Sequence, residues 1–148
     1  MKEEYKDWFL NNIKDKEFTI IDMPLKRYGR KYEYYNFGRH EVPFDLELNS
    51  YLQDFVGDDN FEYDCYHIHR WKVGSYFSTH HDDRENRKFS YVCELQESNC
   101  KTKLLVDNIL TEEGWFDVYT KHEVPPIKDG ERISLTIFGK NKTKTTLM

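Results

Sequence analysis

Apolar and polar positions change their rhythm once along this chain. Over residues 3–14, Tyr5, Trp8, Phe9 and Ile13 recur at near-helical spacing, so a first helix with one apolar face is expected. Residues 18–21 read as a short strand that Pro24 ends. A basic, Tyr-rich stretch follows at 26–40, KRYGRKYEYYNFGRH, with Gly29 and Gly38 as turns around a short strand near 32–35. Pro43 leads into FDLELNSYLQDFVG, a second helix that Gly57 stops. From Phe61 the period shortens to two. Alternating segments run over 61–73, 89–95, 103–106, 114–119 and 132–138, separated by Gly74, Asn86, Asn99, Asp107-Asn108, Pro125-Pro126 and Asp129-Gly130. Helices first and many short strands afterwards predict a mainly β fold, a small barrel or sandwich buttressed by N-terminal helices.

The last alternating segment has two unlike faces. Ile133, Leu135 and Ile137 point one way; Arg132, Ser134 and Thr136 point the other. The polar face meets bulk water, or it lines a barrel interior where the arginine needs a carboxylate partner. HIH at 67–69 likewise sets two imidazoles on one strand face. No Glu follows at the spacing of a metal-binding HxH pair, because RWKVGS comes next, so His67 and His69 are read as strand-face residues.

Composition narrows the class. The 148 residues suit one domain, 1–148, with supporting helices and the Tyr/Arg-rich stretch over 1–60 and the β core over 61–140. Only 38% of residues are hydrophobic, but the 16% that are aromatic bury much area each, so a modest core is expected. The net charge of −5 argues against a general nucleic-acid binder. Cys65, Cys93 and Cys100 form no CxxC pair and suggest reduced thiols in a cytoplasmic setting. No apolar run reaches the length of a membrane span, and the acidic, amphipathic start MKEEYKDWFLNN is unlike a signal peptide. KNKTKTT near the end reads as a loose polar tail.

The candidate chemistry lies in YFSTHHDDREN at 76–86. On a strand, residues i and i+2 share a face, so His-x-Asp presents an imidazole and a carboxylate to one ion. Two registers fit, His80 with Asp82 and His81 with Asp83. His122 is the available third ligand. Two histidines and one carboxylate leave open coordination positions, the arrangement of non-haem Fe(II) oxygen chemistry.

The stretch from Trp71 to Asp82, WKVGSYFSTHHD, resembles the Tyr-x-x-Gly-x-x-aromatic-x-x-His-x-Asp motif of the Fe(II)/2-oxoglutarate-dependent dioxygenases, in the prolyl 4-hydroxylase-like branch. NRKFSYVCEL at 86–95 is similar to the Arg-bearing strand that follows it there, and GWFDVYTKHEVPPIKDGERISLTIF to the closing His…Gly-x-Arg-x-Ser part. The resemblance covers 66–138, about half the chain. It implies a double-stranded β-helix, or jelly-roll, core. It selects His80, Asp82 and His122 as ligands of Fe(II), and turns His81 and Asp83 away from the ion. It implies that Arg132, with Ser134, binds the distal carboxylate of 2-oxoglutarate. O2 is the co-oxidant and ascorbate an auxiliary reductant. Trp71 stands where the family commonly has a Tyr near the cosubstrate, and Arg87 matches an arginine near the substrate. The implied reaction is hydroxylation of a carbon, a prolyl residue of a peptide or protein, with release of succinate and CO2.

Several positions depart from the pattern. Glu94 stands where a Tyr, Gln or apolar residue usually lines the pocket, and a carboxylate there repels 2-oxoglutarate unless paired or turned outward. CKTKLLV replaces the usual Gly-Gly-Glu, and the interval from Asp82 to His122 is short, so a trimmed barrel is expected. The stretch at 26–40 is read as a solvated hairpin beside the barrel mouth, where the family often builds a substrate lid; its aromatics and cations also suit a nucleic acid, a peptide or a sugar. Two alternatives stand beside the hydroxylase. A nucleic-acid demethylase of the same superfamily typically carries a second Arg a few residues after the first, where this chain has Phe138. A non-catalytic binding module would keep the barrel without turnover.

Overall fold

A computed structural model describes residues 1–24, 29–58, 60–63, 65–81 and 87–141. Two helices, α1 (Glu3–Asn12) and α2 (Asp45–Val56), flank strands β1 (Thr19–Met23) and β2 (Arg30–Gly38). Then come β3 (Phe61–Glu62), β4 (Cys65–Trp71), β5 (Tyr76–His80), β6 (Phe89–Glu94), β7 (Leu104–Val106), β8 (Ile109–Thr111), β9 (Glu113–Asp117), β10 (His122–Val124) and β11 (Arg132–Asn141). The tail at 142–148 lies outside the described residues.

Each helix follows from its pattern. In α1, Tyr5 and Phe9 lie one turn apart and are buried, Ile13 continues the same face, and Glu3 and Glu4 suit the positive end of the helix dipole. In α2, Leu48 and Leu52 form the buried stripe, and Gly57, at φ 75°, ends the helix in the left-handed conformation glycine tolerates. No helix among the described residues is long and apolar enough to cross a membrane.

Every strand pairing is antiparallel. The continuous order is β8-β7-β10-β5-β2-β4-β11-β6-β9, with β1 on β2 and β3 on β11. From β4 onward the chain passes back and forth between two four-stranded groups, β8-β7-β10-β5 and β4-β11-β6-β9, except at the β7-β8 hairpin, which stays in one group; β2 joins the two by pairing with both β5 and β4. This is the jelly-roll expected from the helix-then-strand pattern.

Three strands had no separate signal in the hydrophobic pattern: β5, β8 and β10. All are short, and β5 and β10 carry polar residues toward the barrel interior, which removes the apolar contrast that marks a strand. The stretch at 26–40 differs more. Residues 25–28 lie outside the described set, and the rest is one arm of an antiparallel hairpin with β1 but is not simply solvated. It is the nine-residue β2, a wall of the barrel. Its alternation serves two interiors, since Phe37 is buried under the helices while Tyr32, Tyr34 and Asn36 face the cavity.

There are two apolar cores. The larger lies between the helices and the outer face of the β4-β11-β6 sheet, where Phe9, Leu48 and Leu52 meet Ile68, Leu135 and Ile137. The smaller closes the barrel interior around Trp71, Val92, Leu104, Phe116, Val124 and Ile127. Asp45 couples helix to sheet. Its carboxylate accepts hydrogen bonds from the hydroxyls of Tyr63 and Tyr66, each 2.7 Å away, and from Arg39 Nη2 at 3.1 Å. Burial pushes the Asp45 carboxyl up, but the bonds from Arg39, Tyr66 and Tyr63 outweigh it and hold the group below the usual carboxylate range.

Arg39 is partly exposed, so water screens part of its share, while the tyrosines act from buried positions. Asp45→Ala is therefore expected to cost about 3 kcal/mol of unfolding free energy at neutral pH, as read by urea denaturation. Because the folded pKa is depressed, the carboxylate's contribution is complete above its unfolded value and fades as pH falls through the folded one. The gap between variant and wild type should narrow below about pH 4.

Candidate active site

The parity of four neighbouring strands builds one wall. In register, Arg132 lies opposite Trp71; Ser134 opposite His69 and Glu94; Thr136 opposite His67 and Val92. Tyr34 and Asn36 extend the same rungs onto β2. All of these side chains line a cavity of about 440 Å³ between the two sheets. The polar face of 132–138 thus faces the barrel interior and not bulk water. His67 and His69 are strand-face residues of this wall, as expected.

The facing wall supplies the histidine pair. His80 ends β5, His122 begins β10, and the two are direct cross-strand partners. Their ring centroids are 4.1 Å apart, and each residue is 7% exposed. The Nδ1 of His80 lies 2.7 Å from the Ser78 carbonyl, and that of His122 3.1 Å from the Thr120 carbonyl. A carbonyl only accepts, so each Nδ1 carries the proton and each Nε2 carries the lone pair a metal needs. Phe77 stacks on the His80 ring at 3.6 Å and Phe116 packs on His122 at 4.7 Å, which limits ring rotation. His81 is half-buried and is among the residues that border the cavity. Asp82 and Asp83 lie outside the described residues, among which no group of three His, Cys, Asp or Glu side chains converges.

Deeper in the cavity stands Arg132, 2% exposed at the start of β11. Burial draws its pKa down while the Glu94 carboxylate acts the other way. Its Nε is 3.7 Å from Glu94 Oε1, too far for a hydrogen bond, and both Nε and Nη2 lack a hydrogen-bond partner among the described residues. Its guanidinium carbon lies 5.3 Å from the centre of the Trp71 ring. The indole N–H donates to Ser134 Oγ at 3.0 Å. Indole only donates, so Ser134 acts as acceptor there and keeps its own O–H for another partner. Glu94 faces inward, and its Oε2 is held by Lys103 Nζ at 2.9 Å. Toward the other end of the wall, Arg87 stacks on Phe138 with its guanidinium carbon 3.6 Å from the ring centre.

The donors present suit the two groups this arrangement calls for. Two adjacent imidazoles whose Nδ1 atoms are taken up by backbone carbonyls suit a transition-metal ion. An under-paired buried guanidinium beside a free hydroxyl donor suits a carboxylate. The wall residues Tyr32, Tyr34 and Asn36, and Lys103 behind Glu94, were not singled out from sequence. Period-two alternation over 30–38 was the signal for the first three; Lys103 had none.

The chain therefore has the double-stranded β-helix fold of the 2OG-Fe(II) oxygenases, in the form seen in prolyl hydroxylases. Among solved structures it is similar to the viral collagen prolyl hydroxylase of Paramecium bursaria Chlorella virus-1 in its 2OG complex, with 18% identity, TM-score 0.68, and coverage of 96% of this chain and 92% of that one. A Pseudomonas putida prolyl-4-hydroxylase follows with 14% identity, TM-score 0.66, and coverage of 97% and 89%. A Trichoplax adhaerens prolyl hydroxylase, in complex with a hypoxia inducible factor peptide fragment, has 14% identity, TM-score 0.57, and coverage of 94% and 90%. No family model matches the sequence, and no curated protein does.

An under-paired arginine in a barrel interior costs stability. In ligand-free protein, Arg132→Met should raise the unfolding free energy by about 1–2 kcal/mol in a denaturant titration. A fall of that size would mean that the guanidinium holds the barrel together.

Proposed function

We propose that this protein is an Fe(II)- and 2-oxoglutarate-dependent dioxygenase that hydroxylates a carbon of its substrate, a prolyl residue of a peptide or protein. The observation that carries the reading is the cross-strand pair His80–His122, each with its Nδ1 on a backbone carbonyl, in the same cavity as the under-paired Arg132. His80, His122 and Asp82 would hold Fe(II); Arg132 and Ser134 would hold the distal carboxylate of 2-oxoglutarate. Bound there and supplied with O2, the metal and cosubstrate provide the oxidising equivalent for C–H hydroxylation, with succinate and CO2 as co-products and ascorbate as auxiliary reductant.

The chain's own residues do the rest. The Ser78 and Thr120 carbonyls keep both imidazoles in the ligating tautomer. Trp71 donates to the Ser134 hydroxyl oxygen, which leaves the hydroxyl proton for a cosubstrate carboxylate to accept. The apolar cluster around Leu104, Phe116 and Val124 would exclude water from the site and strengthen each charge contact there. Arg87, braced on Phe138, would meet a carbonyl or carboxylate of the substrate. A peptide substrate is favoured by the likeness to an enzyme solved with a peptide fragment and by the net charge of −5, which opposes nucleic acid. Residues 1–148 would act as one catalytic domain in the cytoplasm. The Glu94 carboxylate near Arg132 supports one rival, a binding module on the same barrel.

Anaerobic addition of Fe(II) and then 2-oxoglutarate should produce a visible charge-transfer absorption. His80→Ala and His122→Ala should abolish it, and His81→Ala should keep it. No absorption at saturating ligand would favour the binding module. Succinate release with proline-containing peptides would support the hydroxylase, whereas turnover only with methylated nucleobases would point to the demethylase.

A further inference from the structure

Three charged side chains meet at the inner end of the cavity, and only one has a role so far. Arg132, Glu94 and Lys103 are all nearly buried, with side-chain exposures of 2%, 11% and 10%. Glu94 sits between the two cations. Its Oε2 is 2.9 Å from Lys103 Nζ, while its Oε1 stops 3.7 Å from Arg132 Nε without a hydrogen-bond partner among the described residues. Glu94 borders the main cavity, but Lys103 does not. Lys103 lines an adjoining polar cleft with Gln96, and that cleft shares Glu94 and Glu112 with the main cavity.

We infer that Lys103 is a positioning residue for cosubstrate binding: it holds the Glu94 carboxylate back from Arg132 and so keeps the guanidinium open to the distal carboxylate of 2-oxoglutarate. This rests on the dioxygenase reading above. Two buried cations and one buried anion leave a single positive charge, enough for one incoming carboxylate. Without Lys103, Arg132 is the nearest buried cation left to Glu94. Closing from 3.7 Å to about 2.9 Å would turn their contact into a charge-assisted bond that occupies the Arg132 Nε edge. The cosubstrate carboxylate would then compete with an internal one, and the site would be neutral before it entered. Lys103 belongs to the CKTKLLV segment that stands in place of the family's Gly-Gly-Glu, so the departure at Glu94 and the departure around Lys103 answer each other.

The test is a calorimetric titration of 2-oxoglutarate into the full chain, with Mn(II) in place of Fe(II) so that no turnover occurs. Lys103→Met keeps the aliphatic stem and should weaken binding about tenfold. Glu94→Gln should tighten it about threefold or more, because the competing carboxylate is gone. The double variant should return to the affinity of Glu94→Gln, since Lys103 acts only through that carboxylate. Wild-type affinity in Lys103→Met, or a double variant as weak as Lys103→Met, would overturn the inference. Should Lys103→Met not fold, as circular dichroism would reveal, Glu94→Gln alone decides, and unchanged or weaker binding overturns it. Arg132→Met separates the two readings. If it abolishes binding while Lys103→Met does not weaken it, only the role of Lys103 fails. If it binds as tightly as wild type, the cosubstrate reading fails first.

Discussion

The architecture depends on the two-faced alternation of β11. Leu135 and Ile137 are fully buried on the side that meets the helices, and Arg132 and Ser134 stand on the opposite side, within the barrel. A slip of one residue would drive the guanidinium into the helix-packed core and Leu135 into the cavity, so the register is fixed by the cost of burying the wrong face. Because β4 and β6 both pair with β11, the same parity sets His67, His69, Trp71, Val92 and Glu94 around the cavity. Helix packing on one side and site chemistry on the other are consequences of a single alternation.

The histidine pair depends on a different contact. Strands β5 and β10 are short, and a β-bulge or irregularity interrupts their register between His122 and Val124. The pairing His122↔His80 nevertheless survives, held by Phe77, Phe116 and the carbonyls of Ser78 and Thr120. Both imidazoles reach the same point because the β-helix brings two strands 42 residues apart (122 − 80) into one antiparallel ladder.

Charge is concentrated where apolar neighbours make it costly. Arg132 lies over Trp71 and near Glu94, which Lys103 pairs, and all three charged side chains are nearly buried, where water screens little. Such a cluster is poor material for stability and good material for a binding site, because an incoming anion finds donors that need no reorganisation. The inward carboxylate of Glu94, which should repel 2-oxoglutarate, is paired by Lys103, one of the two conditions under which it is tolerated.

The chain's local pattern was sufficient for the helices, whose apolar stripes and Gly57 stop are visible in sequence, and for the long strands β4, β6 and β11. It was also sufficient to group His80, His122, Arg132 and Ser134, since strand parity and family spacing are both local properties. It could not mark β5, β8 or β10, where brevity and inward polar residues erase the apolar signal. It read 26–40 as solvated, because Tyr and Arg on a barrel wall look like surface residues until the second sheet that covers them is known. Lys103 was silent for the same reason. Its importance lies in a contact with Glu94 across nine residues (103 − 94) and an intervening turn. Which face of a strand is interior depends on what packs over it, and that is decided by strands far away in the chain.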